Sequence, residues 1–491
     1  MIFSSYTFVL VFLPAVLAGY AMLQRLGHSR VTIAWLVLAS FVFYGWWNPI
    51  YLVLIGFSIL FNYTLGLQLG GGEGRHRKLL MLFGVAVNLG LLGYFKYAGF
   101  FVNIIDAVSG ADWRIGRIVL PLAISFFTFQ QIAYLVDAYR HVSQEHDFLD
   151  YCLFVTFFPQ LIAGPIVHHH EMLPQFREPG RRMRRQDLSI GSAIFVFGMA
   201  KKVLVADELA PHGDEIFALA GAGHDLTFAQ AWTGVLAYTM QLYFDFSGYS
   251  DMAIGLGRLF GIRLPMNFNS PYKSVSVIEF WGRWHITLSR FLRDYLYIPL
   301  GGNRKGKARR YVNLVLTMLL GGLWHGAGWT FVVWGGLHGL YLCVNHAWRA
   351  MTGSRGKPVR IRWRIPATAL TFLAVCIGWV FFRAESFDAA GRVLGAMMGS
   401  HGWSLADSGL STGRAAMLWG MLAVVFIMPN TQQIMHRFKP ILAMKLRPEQ
   451  PRWLPAIEWK PDVFWSVVMA ILTIACLLQM SRVSTFIYYQ F

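Results

Sequence analysis

Charged residues are scarce in this chain of 491 residues, where they make up only 14% of the sequence. A soluble domain carries roughly 25% charged residues on average, because it must cover its surface with them. Hydrophobic residues reach 56%, and they include 39 Phe and 18 Trp. The composition therefore excludes a soluble globular protein and predicts an integral membrane protein.

Cysteine is also rare, and several soluble-enzyme signatures are missing. The four cysteines lie in apolar stretches without Cys-x-x-Cys spacing, which favours buried free thiols over disulfides or a thiolate metal site. The sequence contains no Walker A loop, no Gly-x-Ser-x-Gly elbow and no His-Glu-x-x-His zinc motif. Any acyl chemistry is therefore expected inside the membrane and without a serine nucleophile.

Acidic residues are outnumbered, 25 against 43 Lys and Arg, which gives a formal net charge of +18. The basic residues form clusters between the apolar runs, at 25–30, 75–78, 177–185, 304–310, 349–364 and 437–452. This arrangement follows the positive-inside rule. It favours membrane topology and contact with anionic lipids over a nucleic-acid partner. A basic cytoplasmic face would also attract a polyphosphorylated donor such as a coenzyme A thioester, although charge alone does not establish one.

Apolar windows near the length of a membrane span recur along the whole chain. A span needs about 20 apolar residues to cross the hydrocarbon core. The windows lie at 6–24, 31–47, 50–69, 78–97, 117–136, 149–167, 189–206, 229–246, 310–324, 329–347, 366–383, 413–428 and 463–480. They predict an all-α polytopic helical bundle of about 11–13 spans with added interfacial or re-entrant helices. We expect one membrane domain, 1–491, whose core motifs lie at 229–350, with no separate soluble domain.

The orientation follows from the first two basic clusters, which bracket residues 31–69 and a turn at Trp47-Asn48-Pro49. Two helices between two basic loops form a hairpin, so both loops are predicted to be cytoplasmic and the 48–50 turn to face outward. The N-terminus is then also outside, and the loop at 177–185 is cytoplasmic. No basic residue precedes the first apolar run, which argues for a retained helix rather than a cleaved signal peptide.

The segment 275–300 departs from the apolar pattern. Aromatic and aliphatic residues at helical spacing alternate with charged ones, and Arg290 and Asp294 stand four apart, close enough to pair. A stretch this polar predicts a helix that lies in the interface or re-enters the bundle. We expect that helix to hold His285 at the edge of a cavity, where His285 either orients a substrate or caps a polar network with Arg283, Arg290 and Arg293.

The segment Leu319–Trp329 places His325 at the end of a long apolar run, among four glycines and two tryptophans. An ionisable side chain at bilayer depth is costly and needs a functional or well-paired reason. The glycines permit a broken helix, and irregular backbone at that depth is tolerated only where it is buried or lines a cavity. A neutral imidazole there can accept a proton from an attacking hydroxyl. The alternative is a core histidine that hydrogen-bonds a neighbouring helix.

Other polar residues have less specific interpretations. His338 and His346 are expected to be structural. The His168-His169-His170 triplet is expected in a solvated loop rather than at a metal, because it lacks His-x-x-x-His spacing. Asp245 and Asp251 lie in an apolar run and need partners; the arginines of 283–293 are the nearest in sequence, and a structural network is the alternative.

These residues together resemble the membrane-bound O-acyltransferase family, in particular its bacterial alginate O-acetyltransferase-like branch. The matching tracts are Phe3-Ser4-Ser5, Phe12-Leu13-Pro14, Tyr44–Trp47, Tyr94–Tyr97, Phe157–Pro165, Gln241–Gly255, Phe280–Leu296, Gly301–Arg304, Leu323–Gly326, Phe381–Ser386, Pro429–Gln432 and Phe486–Phe491. They cover nearly the whole chain in order, with no departure at either histidine motif.

The resemblance implies helices around a central funnel that carries an acyl group across the membrane. It implies that His325 is the catalytic residue, that His285 is a second functional position, and that acetyl-CoA is the donor. The candidate donor- or substrate-binding residues are Trp324, Arg283, Arg290, Arg293, Asp245 and Asp251. No metal or permanently bound cofactor is expected.

The expected function is O-acetylation of an exopolysaccharide of the alginate or cellulose type at the bacterial inner membrane. Acetyl would pass towards a periplasmic acceptor, or towards a separate periplasmic acetyltransferase or other polysaccharide-modification protein. Direct transfer with His325 as general base and a covalent acetyl-histidine both remain open. The alternative function is a transporter or flippase for a polysaccharide precursor, which predicts two related halves with discontinuous helices; the sequence shows no such repeat.

Overall fold

A computed structural model describes residues 1–71, 74–110, 113, 116, 118–142, 147–177, 183–354, 357, 359–404, 408–442 and 455–482. The regular secondary structure of these residues consists of helices joined by loops, with no strand, as the sequence predicts. Predicted features that lie wholly or partly outside them are the loops at 70–78 and 177–185, the first residue of the window at 117–136, the basic clusters at 349–364 and 437–452, and the tract Phe486–Phe491.

Twenty-one α-helices follow one another along the described residues. In chain order they are α1 Leu13–Arg25, α2 Ser29–Gly45, α3 Tyr51–Gly71, α4 Arg75–Leu92, α5 Ala98–Ser109, α6 Ile124–Tyr139, α7 Phe148–Thr156, α8 Phe158–Leu161, α9 His169–Phe176, α10 Arg185–Ala200, α11 Asp207–Gly221, α12 Phe228–Leu259, α13 Val277–Trp281, α14 Ile286–Leu292, α15 Gly306–His325, α16 Trp329–Met351, α17 Arg364–Arg383, α18 Phe387–Met397, α19 Thr412–Ile427, α20 Thr431–Ile434 and α21 Val463–Gln479.

Several of these helices suit a bilayer. Among the described residues, five continuous helical stretches are long and apolar enough to cross a membrane: Thr7–Arg25, Tyr51–Gly71, Arg75–Ser109, Arg185–Gly221 and Ile361–Arg383. Shorter apolar helices occupy Ser29–Gly45, Thr412–Ile427 and Val463–Gln479. All eight overlap predicted windows. The structure therefore agrees with a multi-pass membrane protein.

Two predicted segments differ from their expected form. The window at 149–167 is interrupted, because α7 ends at Thr156 and α8 begins at Phe158 with Pro159 in its first turn; proline lacks the N–H that a continuing helix needs. The segment 275–300 is likewise not one helix. The helix is interrupted between the end of α13 at Trp281 and the start of α14 at Ile286, and His285 lies in this break.

The chain forms two compact units. Unit 1 comprises 1–195, 249–266 and 438–444. Its interior contains a cluster of phenylalanines whose ring centroids lie 5.0–6.1 Å apart, formed by Phe3, Phe8, Phe12, Phe43 and Phe158. At one end, the buried Arg77 guanidinium donates to the carbonyl oxygens of Leu69 and Tyr139, which ties α4 to the C-terminal turns of α3 and α6.

Unit 2 comprises 196–248, 267–437 and 445–491. Its central feature is the antiparallel pair α15 and α16, joined by residues 326–328. Glycine allows this pair to approach at the level of the backbone: a Cβ on Gly335 would lie 2.3 Å from the carbonyl oxygen of Met318, and one on Gly322 would lie 2.3 Å from that of Phe331. Small residues are the usual means of such close helix contact in membrane proteins.

Candidate active site

His325 is the last residue of α15 and lies inside unit 2, with 4% of its surface exposed. The helix ends there because Gly326 takes an extended conformation, with φ −158° and ψ 146°. A side chain at position 326 would collide with the Phe331 ring, whose nearest carbon would lie 2.2 Å from the added Cβ. The Trp-His-Gly sequence thus ends α15 on a buried imidazole.

Aromatic rings surround this imidazole. The ring centroid of His325 lies 4.9 Å from that of Trp324, 5.1 Å from that of Trp334 and 5.3 Å from that of Phe382. The three contacts are edge-on, with interplanar angles of 69–86°. Such an apolar surrounding strengthens any electrostatic interaction with a reacting group, because it excludes water.

His285 occupies a strained position between α13 and α14. Its φ of 42° and ψ of 53° place it in the left-handed region, as the residue before α14. Backbone bonds hold this break in place, since Ile286 N–H donates to the Asn267 carbonyl at 2.9 Å and Asn269 N–H donates to the Arg283 carbonyl at 2.9 Å. A non-glycine residue in this conformation costs free energy and often marks a functional position.

The His285 side chain is fully buried and its tautomer can be assigned. Nδ1 lies 3.1 Å from Asn267 Oδ1, which also accepts a hydrogen bond from Thr287 Oγ1 at 3.0 Å. Because that oxygen only accepts, Nδ1 carries the proton and Nε2 carries the lone pair. Burial lowers the pKa of His285 to about 3. The imidazole is therefore neutral at physiological pH.

The structure brings His285 and His325 together. Their ring centroids are 6.5 Å apart at an interplanar angle of 61°. Trp324 contacts both, with centroids 4.9 Å from His325 and 6.3 Å from His285. The expectation that His285 lies at the edge of a cavity is corrected in one respect: the residue is buried with 0% exposure, and the cavity is lined by its neighbours.

That cavity has a volume of about 860 Å³ and lies within unit 2. Its walls include Trp281, Gly282 and Ile286, the residues on either side of the break that holds His285. Five basic side chains also line it: Arg290, Arg293, Arg310, His346 and Arg349. Among its described lining residues there is no carboxylate.

The predicted arginines take different roles. Arg283 forms an ion pair with Glu279 at 2.8 Å, one helical turn away, and donates to the Asn269 carbonyl at 3.2 Å. It therefore helps to hold the break rather than line the cavity. Arg293 pairs with the adjacent Asp294 at 2.7 Å. Arg290 lines the cavity.

The ion pair of Asp245 is with a residue that sequence reasoning did not single out. Its carboxylate lies 2.8 Å from the Lys202 ammonium, which also contacts Asp207 at 2.6 Å, and all three side chains are almost completely buried. The sequence predicts an arginine of 283–293 as the partner of this carboxylate. Lys202 was missed because it lies more than forty residues earlier in the chain. Asp251 belongs to unit 1 and is buried there.

The other histidines that the sequence analysis names lie in both units. His338 is fully buried beside Trp334 and accepts a hydrogen bond from Trp281 Nε1 at 3.3 Å, while His346 lines the cavity. The triplet at 168–170 is in unit 1. The expectation of a solvated loop is wrong for His168 and His169, which are 5% and 1% exposed, because α9 begins at His169 and this residue packs against Tyr134 of α6 and Phe154 of α7.

Comparison with known proteins matches residues 137–385 to MBOAT, the membrane-bound O-acyltransferase family. The chain is 44% identical over 436 residues to a peptidoglycan O-acetyltransferase of Helicobacter pylori, covering 82% of this chain and 81% of that protein. It is 45% identical over 415 residues to a probable alginate O-acetylase, AlgI, of Azotobacter vinelandii, covering 83% and 80%. A teichoic acid D-alanyltransferase of Streptococcus thermophilus is 30% identical over 241 residues, covering 46% and 57%.

Proposed function

Because the chain belongs to the membrane-bound O-acyltransferase family, and is thus a multi-pass membrane O-acyltransferase, we propose that it transfers acetyl from acetyl-CoA to a cell-surface polysaccharide or its carrier. The proposal is carried by one observation: two buried histidines have ring centroids 6.5 Å apart, and Ile286, the residue after one of them, lines a cavity that arginines also line.

The cavity suits the donor. Coenzyme A carries a diphosphate and a further phosphate, and arginine binds phosphate oxygens through paired N–H groups. Arg290, Arg310 and Arg349 come from three different segments and converge on one space of about 860 Å³. This volume is within the range of small-molecule sites, about 300–1,000 Å³. In the proposed complex the phosphates lie among the arginines and the thioester reaches towards His285 and His325.

His325 would act as the general base. Its imidazole takes the proton of an acceptor hydroxyl, the oxygen attacks the thioester carbonyl carbon, and the carbon–sulfur bond breaks. The proton on His325 then passes to the departing thiolate, so that the products are the acetyl ester and free coenzyme A. A covalent acetyl-histidine would use the same residue as nucleophile.

His285 would position a substrate rather than remove a proton. Asn267 holds its Nδ1–H, so the Nε2 lone pair can accept a hydrogen bond from an N–H or O–H of donor or acceptor. Arg283 would support this arrangement by holding the break between α13 and α14. Trp324 would support it through its ring contacts with both histidines. The role of Asp245 would be to balance Lys202.

The acceptor and its delivery follow from the relatives. Two of them are named for acetylation of peptidoglycan and of alginate, so the proposed acceptor is an exopolysaccharide of the alginate or cellulose type, or another envelope polysaccharide. A polymer modified outside the cytoplasm needs the acetyl group delivered there. We therefore propose a separate periplasmic acetyltransferase as partner. The transporter alternative is set aside, because the family and the named relatives are transferases.

The direct test incubates the purified chain with acetyl-CoA labelled in the acetyl group and measures coenzyme A release and labelled polysaccharide. We expect release that depends on added acceptor and is lost in His325→Ala. An exposed histidine of the same unit, His224, provides the control variant His224→Ala. Absence of thioester cleavage with any polysaccharide or partner protein would contradict the proposal.

A further inference from the structure

Three potential metal ligands converge in unit 1. Asp137 on α6, His168 just before α9 and His170 within it each offer one ligand atom, and these atoms all lie within 4.8 Å of one another. His168 Nδ1 is 3.9 Å from Asp137 Oδ2. Separations of this order allow a single ion to contact all three, because zinc binds histidine nitrogen and carboxylate oxygen at about 2.0–2.2 Å.

The surrounding structure supports the cluster as a built feature. Asp137 and His168 are buried, whereas His170 is exposed. The His168 backbone is held in place, since its N–H donates to Glu171 Oε2 at 3.1 Å. The ring centroids of His168 and His170 lie 5.4 Å apart. A cation from solvent would meet His170 first and the two buried ligands behind it.

The middle histidine of the triplet serves a different purpose. His169 packs among aromatic rings, with its centroid 5.2 Å from that of Tyr134 and 5.1 Å from that of Phe154. Burial, together with the nearby Arg177, lowers the pKa of His169 to about 3. Arg177 is itself paired with Asp150 at 2.7 Å. His169 thus anchors the segment in the core, and its two neighbours are left beside Asp137.

We propose that Asp137, His168 and His170 form a binding site for a divalent transition metal, with Zn²⁺ as the occupant favoured by the ligand set. Two imidazoles and one carboxylate are a common set for this ion, and three protein ligands leave one position for water. The site would join the C-terminal turn of α6 to the start of α9. This proposal goes beyond the proposed acyl transfer and does not depend on it.

Equilibrium dialysis of the full chain, purified in detergent without a histidine tag and stripped with a chelator, tests the site. After dialysis against zinc, we expect about one zinc ion bound per chain at this site by elemental analysis. In His170→Ala the dissociation constant should rise at least about tenfold. Asp137→Asn should have the same effect. Co²⁺ should give visible absorption bands in the unmodified chain and lose them in both variants.

The controls separate this site from adventitious binding. His76 is an exposed histidine of the same unit, and His76→Ala should bind zinc as the unmodified chain does. Zinc should raise the thermal unfolding midpoint of the unmodified chain and of His76→Ala but not of His170→Ala. Metal-free His170→Ala should unfold at the midpoint of the metal-free parent, because His170 is exposed. Equal zinc affinity in the parent and His170→Ala, or no zinc binding by the parent, would overturn the proposal.

Discussion

The imidazoles of His285 and His325 lie with ring centroids 6.5 Å apart, although one closes a helix and the other occupies the break between two short helices. The Trp324 ring contacts both imidazoles, and all three residues lie in unit 2. Each histidine has a distinct environment. His325 is enclosed by aromatic rings, whereas His285 is bound to an amide oxygen.

His325→Ala is expected to lower the rate of acetyl transfer by about 10²–10⁴-fold, the usual cost of losing a general base. The measurement is coenzyme A release at saturating donor, with thermal unfolding to show that the variant is folded. His338→Ala should instead lower the unfolding midpoint, because it leaves Trp281 Nε1–H without its acceptor. If folded His325→Ala transferred acetyl at a near-normal rate, His325 would not be the base and His285 would become the candidate.

His285→Ala should raise the donor concentration needed for half-maximal rate more than it lowers the maximal rate, because the role proposed for this residue is to position substrate. Asn267→Ala should act in the same direction, since Asn267 sets the tautomer of His285. In the double variant the two effects should not add, because both remove one interaction. Additive losses, measured from the full dependence of rate on donor concentration, would show that Asn267 acts separately.

Gly335→Ala should destabilise the fold by about 1–3 kcal/mol, the usual cost of overpacking, because its Cβ would lie 2.3 Å from the Met318 carbonyl oxygen. Gly336 is the matched control on the same helix, where the nearest atom to an added Cβ is Leu319 Cδ2 at 3.5 Å. Gly336→Ala should leave the unfolding midpoint unchanged or raise it slightly. Equal midpoints for the two variants would be evidence against the close packing of α15 and α16.

Arg349→Gln is expected to raise the half-saturating concentration of acetyl-CoA by about tenfold, which corresponds to about 1.4 kcal/mol. The same variant should leave the value for acetyl-pantetheine unchanged, because that donor has no phosphates. Arg362→Gln, at an exposed arginine that does not line the cavity, should affect neither donor. An equal increase in the half-saturating concentrations of both donors would show that Arg349 does not bind the phosphates.

The predicted topology can be tested with single cysteines in a chain whose Cys343 is replaced by Ser, the other three native cysteines being buried. Ile50→Cys, at an exposed position between α2 and α3, should react with a membrane-impermeant reagent added to spheroplasts. His76→Cys should react only after permeabilisation. The reverse pattern would invert the orientation of the first hairpin.

The helical class, eight of the predicted apolar windows and the burial of His325 could be predicted from the sequence, because apolar runs and an imidazole within one are local signals. The break at residues 282–285 could not. The apolar spacing from Phe280 to Tyr295 is continuous, whereas the break is held by backbone hydrogen bonds to Asn267 and Asn269, which lie outside that segment. Lys202 was missed for the same reason, as its pairing with Asp245 depends on packing between helices.

The left-handed backbone at His285 has a consequence for which residues position 285 can accept. At φ 42°, glycine and asparagine fit with little strain, whereas a β-branched side chain does not. A substitution scan there would therefore report two quantities at once. Asparagine and glycine variants would isolate the chemistry of the ring, while valine and isoleucine variants would add the free-energy cost of backbone strain, about 1–3 kcal/mol.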